Sequence, residues 1–183
     1  ISSWLSQAVM SSLELDKEKI KNINTELAPY FTKEAREQFK EFGQKSNVFP
    51  TIFYGKGQQL ISYGKSTPIL MRAEPTRIPA NKVAMYTGQD LQASKQNTQE
   101  GSIEDIASLR EQKDDSVLLY QWVFQVPATL SLLNQPLNSY SKEVPIAQTQ
   151  TQRDITFCVT VSRSPLNTTD GVLISDWRVG NCE

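Results

Sequence analysis

The chain has 183 residues, 38% of them hydrophobic and 21% charged, with a net charge of −1 and no histidine. So balanced a charge argues against a nucleic-acid domain, whose affinity comes largely from clustered Lys and Arg, and no direct nucleic-acid partner is expected. Without imidazole, nucleophile–histidine catalysis and His–Cys zinc sites are excluded, and the two cysteines alone cannot close a four-thiolate site.

The length suits a single domain spanning residues 1–183. No apolar run approaches the roughly 20 residues of a membrane helix. The chain begins with Ile1 rather than Met, so a mature chain or a fragment is expected, with any signal peptide or anchor helix upstream. In the opening stretch "ISSWLSQAVMSSLELDKEKI", Trp4, Leu5, Ala8, Val9 and Leu13 recur at helical spacing, and Ser2 or Ser3 is expected to cap the helix. Residues 16 to 45 carry nearly balanced alternating charge, the pattern of a solvated helix face. Pro29 divides this segment. Asp16 is expected to cap a helix carrying Ile20, Ile23 and Leu27, and Thr32 one carrying Ala35, Phe39 and Phe42, with Gly43 as its stop.

After Pro50 the texture turns toward strand, around Leu60–Tyr63 and Ile69–Met71. "GKG" at 55–57 lacks the spacing and the Lys-Ser/Thr ending of a phosphate loop. Residues 75 to about 116 are rich in Pro, Gln, Asn and Thr and read as an insertion of loop and short helix ("SIEDIASLREQ"). In "LLYQWVFQVPATLSLL", Tyr120, Trp122, Phe124 and Val126 alternate onto one face, and Ala128, Leu130 and Leu132 continue it. Pro127 has no N–H for a ladder, so an edge, a bulge or a bend is expected there. The last strands are a hairpin around "SPLNTTDG". Ile155, Phe157, Val159 and Val161 line one face, and Leu173, Trp177 and Val179 share a face in the return. Helices followed by an antiparallel sheet define an α+β fold.

Cys158 lies on the polar side of its strand, and Cys182 one residue from the last. A simple hairpin sets Cys158 opposite about Trp177, so a Cys158–Cys182 bridge requires a bulge or a tail that folds back. One disulfide, two free thiols and a redox pair all remain open, although there is no Cys-X-X-Cys spacing.

The order "WLSQAV", "YFTKEAREQF", "STPILMRAE", "YQWVFQVPATLSLL" and "RDITFCVTVSRSP…GVLISDW" resembles the DotI/IcmL/TraM family over roughly residues 2–74 and 117–180. The resemblance implies a cone of N-terminal helices packed on a curved antiparallel β-sheet, like the periplasmic scaffold of VirB-type systems. It implies the periplasmic domain of a bacterial inner-membrane protein, anchored by an upstream helix, in type IVB secretion or conjugation, the TraM-like branch being favoured. Its work would be assembly, with copies of itself and other inner-membrane subunits as partners. It brings no catalytic residues, cofactor or metal. Trp4, Tyr30 and Tyr54 are the interface candidates, since aromatic residues are favoured at interface centres.

Two other functions compete. A small-molecule binder or enzyme on the same cone would use an apolar cavity with Asp154, Asp176, Tyr120 or Tyr140 inside, and a raised aspartate pKa beside a tyrosine would be its mark. A secreted recognition protein is the third reading, and "NTT" at 167–169 fits a glycosylation acceptor.

Overall fold

Helical periodicity in the first third of the chain and period-two alternation in the last third build two layers that share one core. A computed structural model describes residues 1–79, 116–134, 151–163 and 171–183. The fold is α+β: among the described residues, five helices lie against one face of an open, five-stranded antiparallel sheet.

Helix α1 (Ser2–Leu13) buries Leu5, Ala8, Val9 and Leu13. Ser12 joins them, its hydroxyl donating to the Ala8 carbonyl at 2.6 Å, so no polar group is left unsatisfied there. The N-cap position is Ile1, not the expected serine, and no side chain caps this end. Asp16 accepts from the Lys19 N–H at 2.8 Å as expected, but the helix it starts breaks at Asn22 into α2 (Lys17–Lys21) and α3 (Ile23–Leu27). Thr32 caps α4 (Lys33–Lys45), which buries Ala35, Phe39, Phe42 and Gly43.

Gly43 does not stop α4. The helix runs two residues further, and Asn47, at φ 61°, makes the turn. Gly43 is there for contact, because a Cβ would come within 2.4 Å of the Phe49 ring. Phe49 belongs to α5 (Val48–Tyr54), a helix where the sequence reads only a change toward strand. Pro50 sits in its first turn, where a missing N–H costs nothing.

Strand β3 (Ser116–Asn134) is the spine of the sheet. Along one edge it pairs first with β2 (Ile69–Pro79) and then with β1 (Gln58–Gly64), and along the other with β4 (Thr151–Arg163). β5 (Val172–Val179) follows β4. β2 thus carries strand structure as far as Pro79, into the span read as an insertion from residue 75, and the helix expected at "SIEDIASLREQ" lies outside the described residues. Pro127 is neither at an edge nor at a bulge. It sits at the seam where β2 pairing ends at Gln125 and β1 pairing begins at Ala128, a position with no N–H demand on that side, and its carbonyl accepts from the Lys65 N–H.

The core face of the sheet holds Phe124, Val126, Ala128 and Leu130 of β3 and Phe157, Val159 and Val161 of β4. Strict alternation fails in β5. A bulge at Ser175 pairs Val159 with Trp177 but Val161 with Ile174, so Ile174 and Trp177 face the core and Leu173 turns to the other side. Trp177 is 2% exposed and its ring centroid lies 4.6, 5.2 and 5.6 Å from those of Phe157, Phe39 and Phe31.

Gly43→Ala tests the tight α4–α5 contact. Better helix propensity would favour alanine by about 1 kcal/mol. Overpacking against Phe49 outweighs it, and a net loss of ~1–2 kcal/mol is expected in urea unfolding. Trp177→Ala, which empties the centre of the core, should cost about 3–5 kcal/mol in the same measurement.

Candidate functional site

Trp4 and Tyr30, two of the three interface candidates, come together. Both are half-buried at the margin of the core, and their rings lie 6.5 Å apart. Tyr30 is also tied by its backbone, whose carbonyl accepts from the Ile174 N–H at 2.7 Å. Tyr54 stands elsewhere, at the end of α5. It is 83% exposed, with its ring against Phe53, and Lys17 sits over the far ring of that pair.

Of the polar groups read for a cavity, the three within the described residues, Asp154, Asp176 and Tyr120, do not converge. Asp154 lies on the sheet face away from the helices and is exposed. It accepts from Lys65 Nζ and, at 2.7 Å, from Thr129 Oγ1. Those two donors, Lys65 foremost, hold its carboxyl below the ordinary aspartate range, against a small opposing effect of desolvation. This is the reverse of the raised pKa that a buried general acid would show. Asp176 is also fully engaged, accepting from Gln38 Nε2 and Arg178 Nε, each at 2.8 Å. Tyr120 is 43% exposed beside Trp122, and Tyr140 and the 167–169 tripeptide lie outside the described residues. The space between the layers is filled by Phe31, Phe39, Phe42, Phe49, Phe124, Phe157 and Trp177, with Trp122 half-buried against them. "GKG" is the turn between α5 and β1. Among the described residues no cluster of acidic and sulfur ligands forms a metal site.

Cys158 and Cys182 are joined in a disulfide. A bulge and a tail that folds back are both present. The Ser175 bulge moves Cys158 opposite Arg178, one residue past Trp177. Gly180, at φ 117°, then reverses the chain while its N–H donates to the Thr156 carbonyl at 2.8 Å. Cys182 comes back across β4 until its sulfur lies 3.3 Å from the Phe124 carbonyl oxygen on β3. The bridge covers Cys158, 2% exposed although it faces away from the helices.

Gln38 is a residue that the sequence reading passed over. Its side-chain amide accepts from the Trp177 N–H at 2.7 Å and donates to Asp176, so a helix side chain closes the open edge of β5 at its bulge. The available signal was its position on α4 between Ala35 and Phe42, at the border of the apolar stripe.

Helices against one face of such a sheet make the fold of a known group of periplasmic domains. The chain is similar to a periplasmic fragment of TraM, at TM-score 0.59 and 17% identity over 98% of this chain and 94% of that one. It is similar to the periplasmic domain of DotI, at TM-score 0.58 and 17% identity over 99% and 93%. It is also similar to an IcmL-like type IV secretion system protein from Legionella pneumophila, at TM-score 0.57 and 9% identity over 100% and 94%. At these identities the likeness is one of fold. No family model matches the sequence, and no curated protein matches it.

Replacing both cysteines by serine should cost about 3 kcal/mol in chemical unfolding, since the bridge closes a loop of 24 residues. The Lys65–Asp154 pair has a stated pH dependence. A depressed folded-state pKa means that its stabilisation is complete above the ordinary aspartate pKa and is lost as pH falls through the lowered value. A carbon-13 NMR titration should place the Asp154 midpoint below the ordinary aspartate value, and Lys65→Ala should raise it.

Proposed function

We propose that this chain is a non-enzymatic assembly domain of a type IV secretion or conjugation apparatus, the TraM-like branch favoured. In this reading it is periplasmic and belongs to an inner-membrane protein whose anchor lies outside the 183 residues. It associates with copies of itself and with other inner-membrane subunits of the translocation complex. The observation that carries the reading is the fold likeness to the TraM and DotI periplasmic domains over nearly the whole of each chain. The aromatic filling of the interlayer space supports it, because the fold's interior is spent on packing and its surface is left to meet partners. Among the described residues no helix is long and apolar enough to cross a membrane.

Deleting this region from the intact gene while keeping the upstream part should abolish transfer of plasmid or effector, and complementation in trans should restore it. Unchanged transfer would reduce the likeness to one of fold alone. Of the aromatic candidates, Tyr54 is the one whose ring is available to a partner. Tyr54→Ala should leave unfolding stability within about 0.5 kcal/mol. In analytical ultracentrifugation it should weaken self-association about tenfold, the effect of losing one interface anchor.

A further inference from the structure

The apolar stripe of β4 runs Val161, Val159, Phe157 and Ile155 toward the N-terminal end of the strand, and the next residue at period two is Arg153. Register with β3 confirms the placement. Arg153 pairs with Leu130, whose side chain is in the core, so the arginine stands on the helix-facing side of the sheet. There the helical layer ends. A slot of about 140 Å³ opens between the α4–α5 junction and the sheet, walled by Phe42, Val48, Leu60, Leu130, Leu132 and Ile155. Val48, Leu132 and Ile155 are only half-buried, so apolar surface inside the slot meets water. Arg153 lines the same slot and makes no ion pair or hydrogen bond to any described residue.

We propose that this slot is an anchor site for one large apolar side chain of a partner polypeptide, with an acidic residue beside it engaging Arg153. The inference rests on the assembly reading and names a docking point within it. Size selects the class of occupant. Sites for free small molecules usually enclose about 300–1,000 Å³ and bury most of the ligand. A slot of about 140 Å³ takes a single Leu, Ile or Phe side chain, which is how an anchor residue seats in an interface pocket. Charge selects the neighbour. A guanidinium at the mouth of an apolar slot offers a forked pair of donors, and a carboxylate matches them in shape and sign. An apolar group alone would leave the arginine unmatched, and a basic partner would be repelled.

The full 183-residue chain is panned against a library of displayed random heptapeptides. Enrichment of a large apolar residue within two positions of Asp or Glu is expected. A synthetic peptide from that pool should perturb the methyl NMR signals of Leu130, Leu132 and Ile155. Its Kd should rise at least tenfold on Arg153→Glu, an exposed substitution that the fold tolerates, and a peptide with Lys in place of its acidic residue should recover the loss. A pool without the apolar–acidic pairing, or peptides that bind Arg153→Glu equally well, would overturn the proposal. Hexanoate is the small-acid control. If it shifts the same methyl signals at concentrations where no peptide does, the occupant is a free acid and the polypeptide assignment fails. The assembly reading is tested apart from this by the transfer assay. Normal transfer with Arg153→Glu and lost transfer on deletion would sink the slot alone.

Discussion

The two layers of this protein are held together where Trp177 meets the phenylalanines. Phe157 comes from the neighbouring strand, Phe39 from α4 and Phe31 from the segment that enters α4, and all three rings pack on the one indole. Aromatic contacts of this kind add about 0.5–1.5 kcal/mol each beyond the area they bury. The indole reaches that position only because of the bulge at Ser175. In a regular strand, Ile174 and Trp177 would lie on opposite faces. The bulge turns both inward, and the same extra residue shifts Cys158 opposite Arg178 and sets up the return of Cys182. Core, sheet edge and disulfide therefore depend on one local irregularity.

That dependence shapes the edges of the sheet. An open strand edge invites pairing with other chains. At β5 the edge is occupied by the backbone of Tyr30 and Thr32 and by the Gln38 amide, and at β1 by Leu15, which exchanges both backbone hydrogen bonds with Leu60. The edge of β2 is broken up instead, by a bulge between Leu70 and Arg72, by Pro75 and Pro79, and by charged residues along the strand. Such an edge pairs poorly with an incoming strand. In the assembly we propose, contacts with other subunits fall to side-chain surfaces, which is where the exposed Tyr54 and the slot beside Arg153 lie.

The fold was legible in the sequence wherever a period ran unbroken. The apolar faces of α1, α4, β3 and β4 follow the 3.6 and 2.0 residue repeats directly, and Asp16 and Thr32 announce their helices by chemistry that acts over three residues. The errors fall at single residues that have two roles. Gly43 reads as a stop because glycine ends helices, yet its use is to let Phe49 approach. Pro127 reads as an edge, a bulge or a bend, yet it sits at the seam between two partner strands, where no N–H is required. The interface and cavity candidates follow from residue type, and type does not say which faces meet. Trp4 and Tyr30 are adjacent only because the segment before α4 lies along β5.

What the sequence determined by itself is the class of fold and the chemistry it excludes. Periodicity acts over neighbouring residues, and the absence of histidine needs no structure to interpret. Tertiary structure decided the rest. The bulge at Ser175, the closure of β5 by Gln38, the return of Cys182 to Cys158 and the slot beside Arg153 all join residues far apart in the chain. Each is settled by which layer packs on which, a balance of long-range burial that no local pattern encodes.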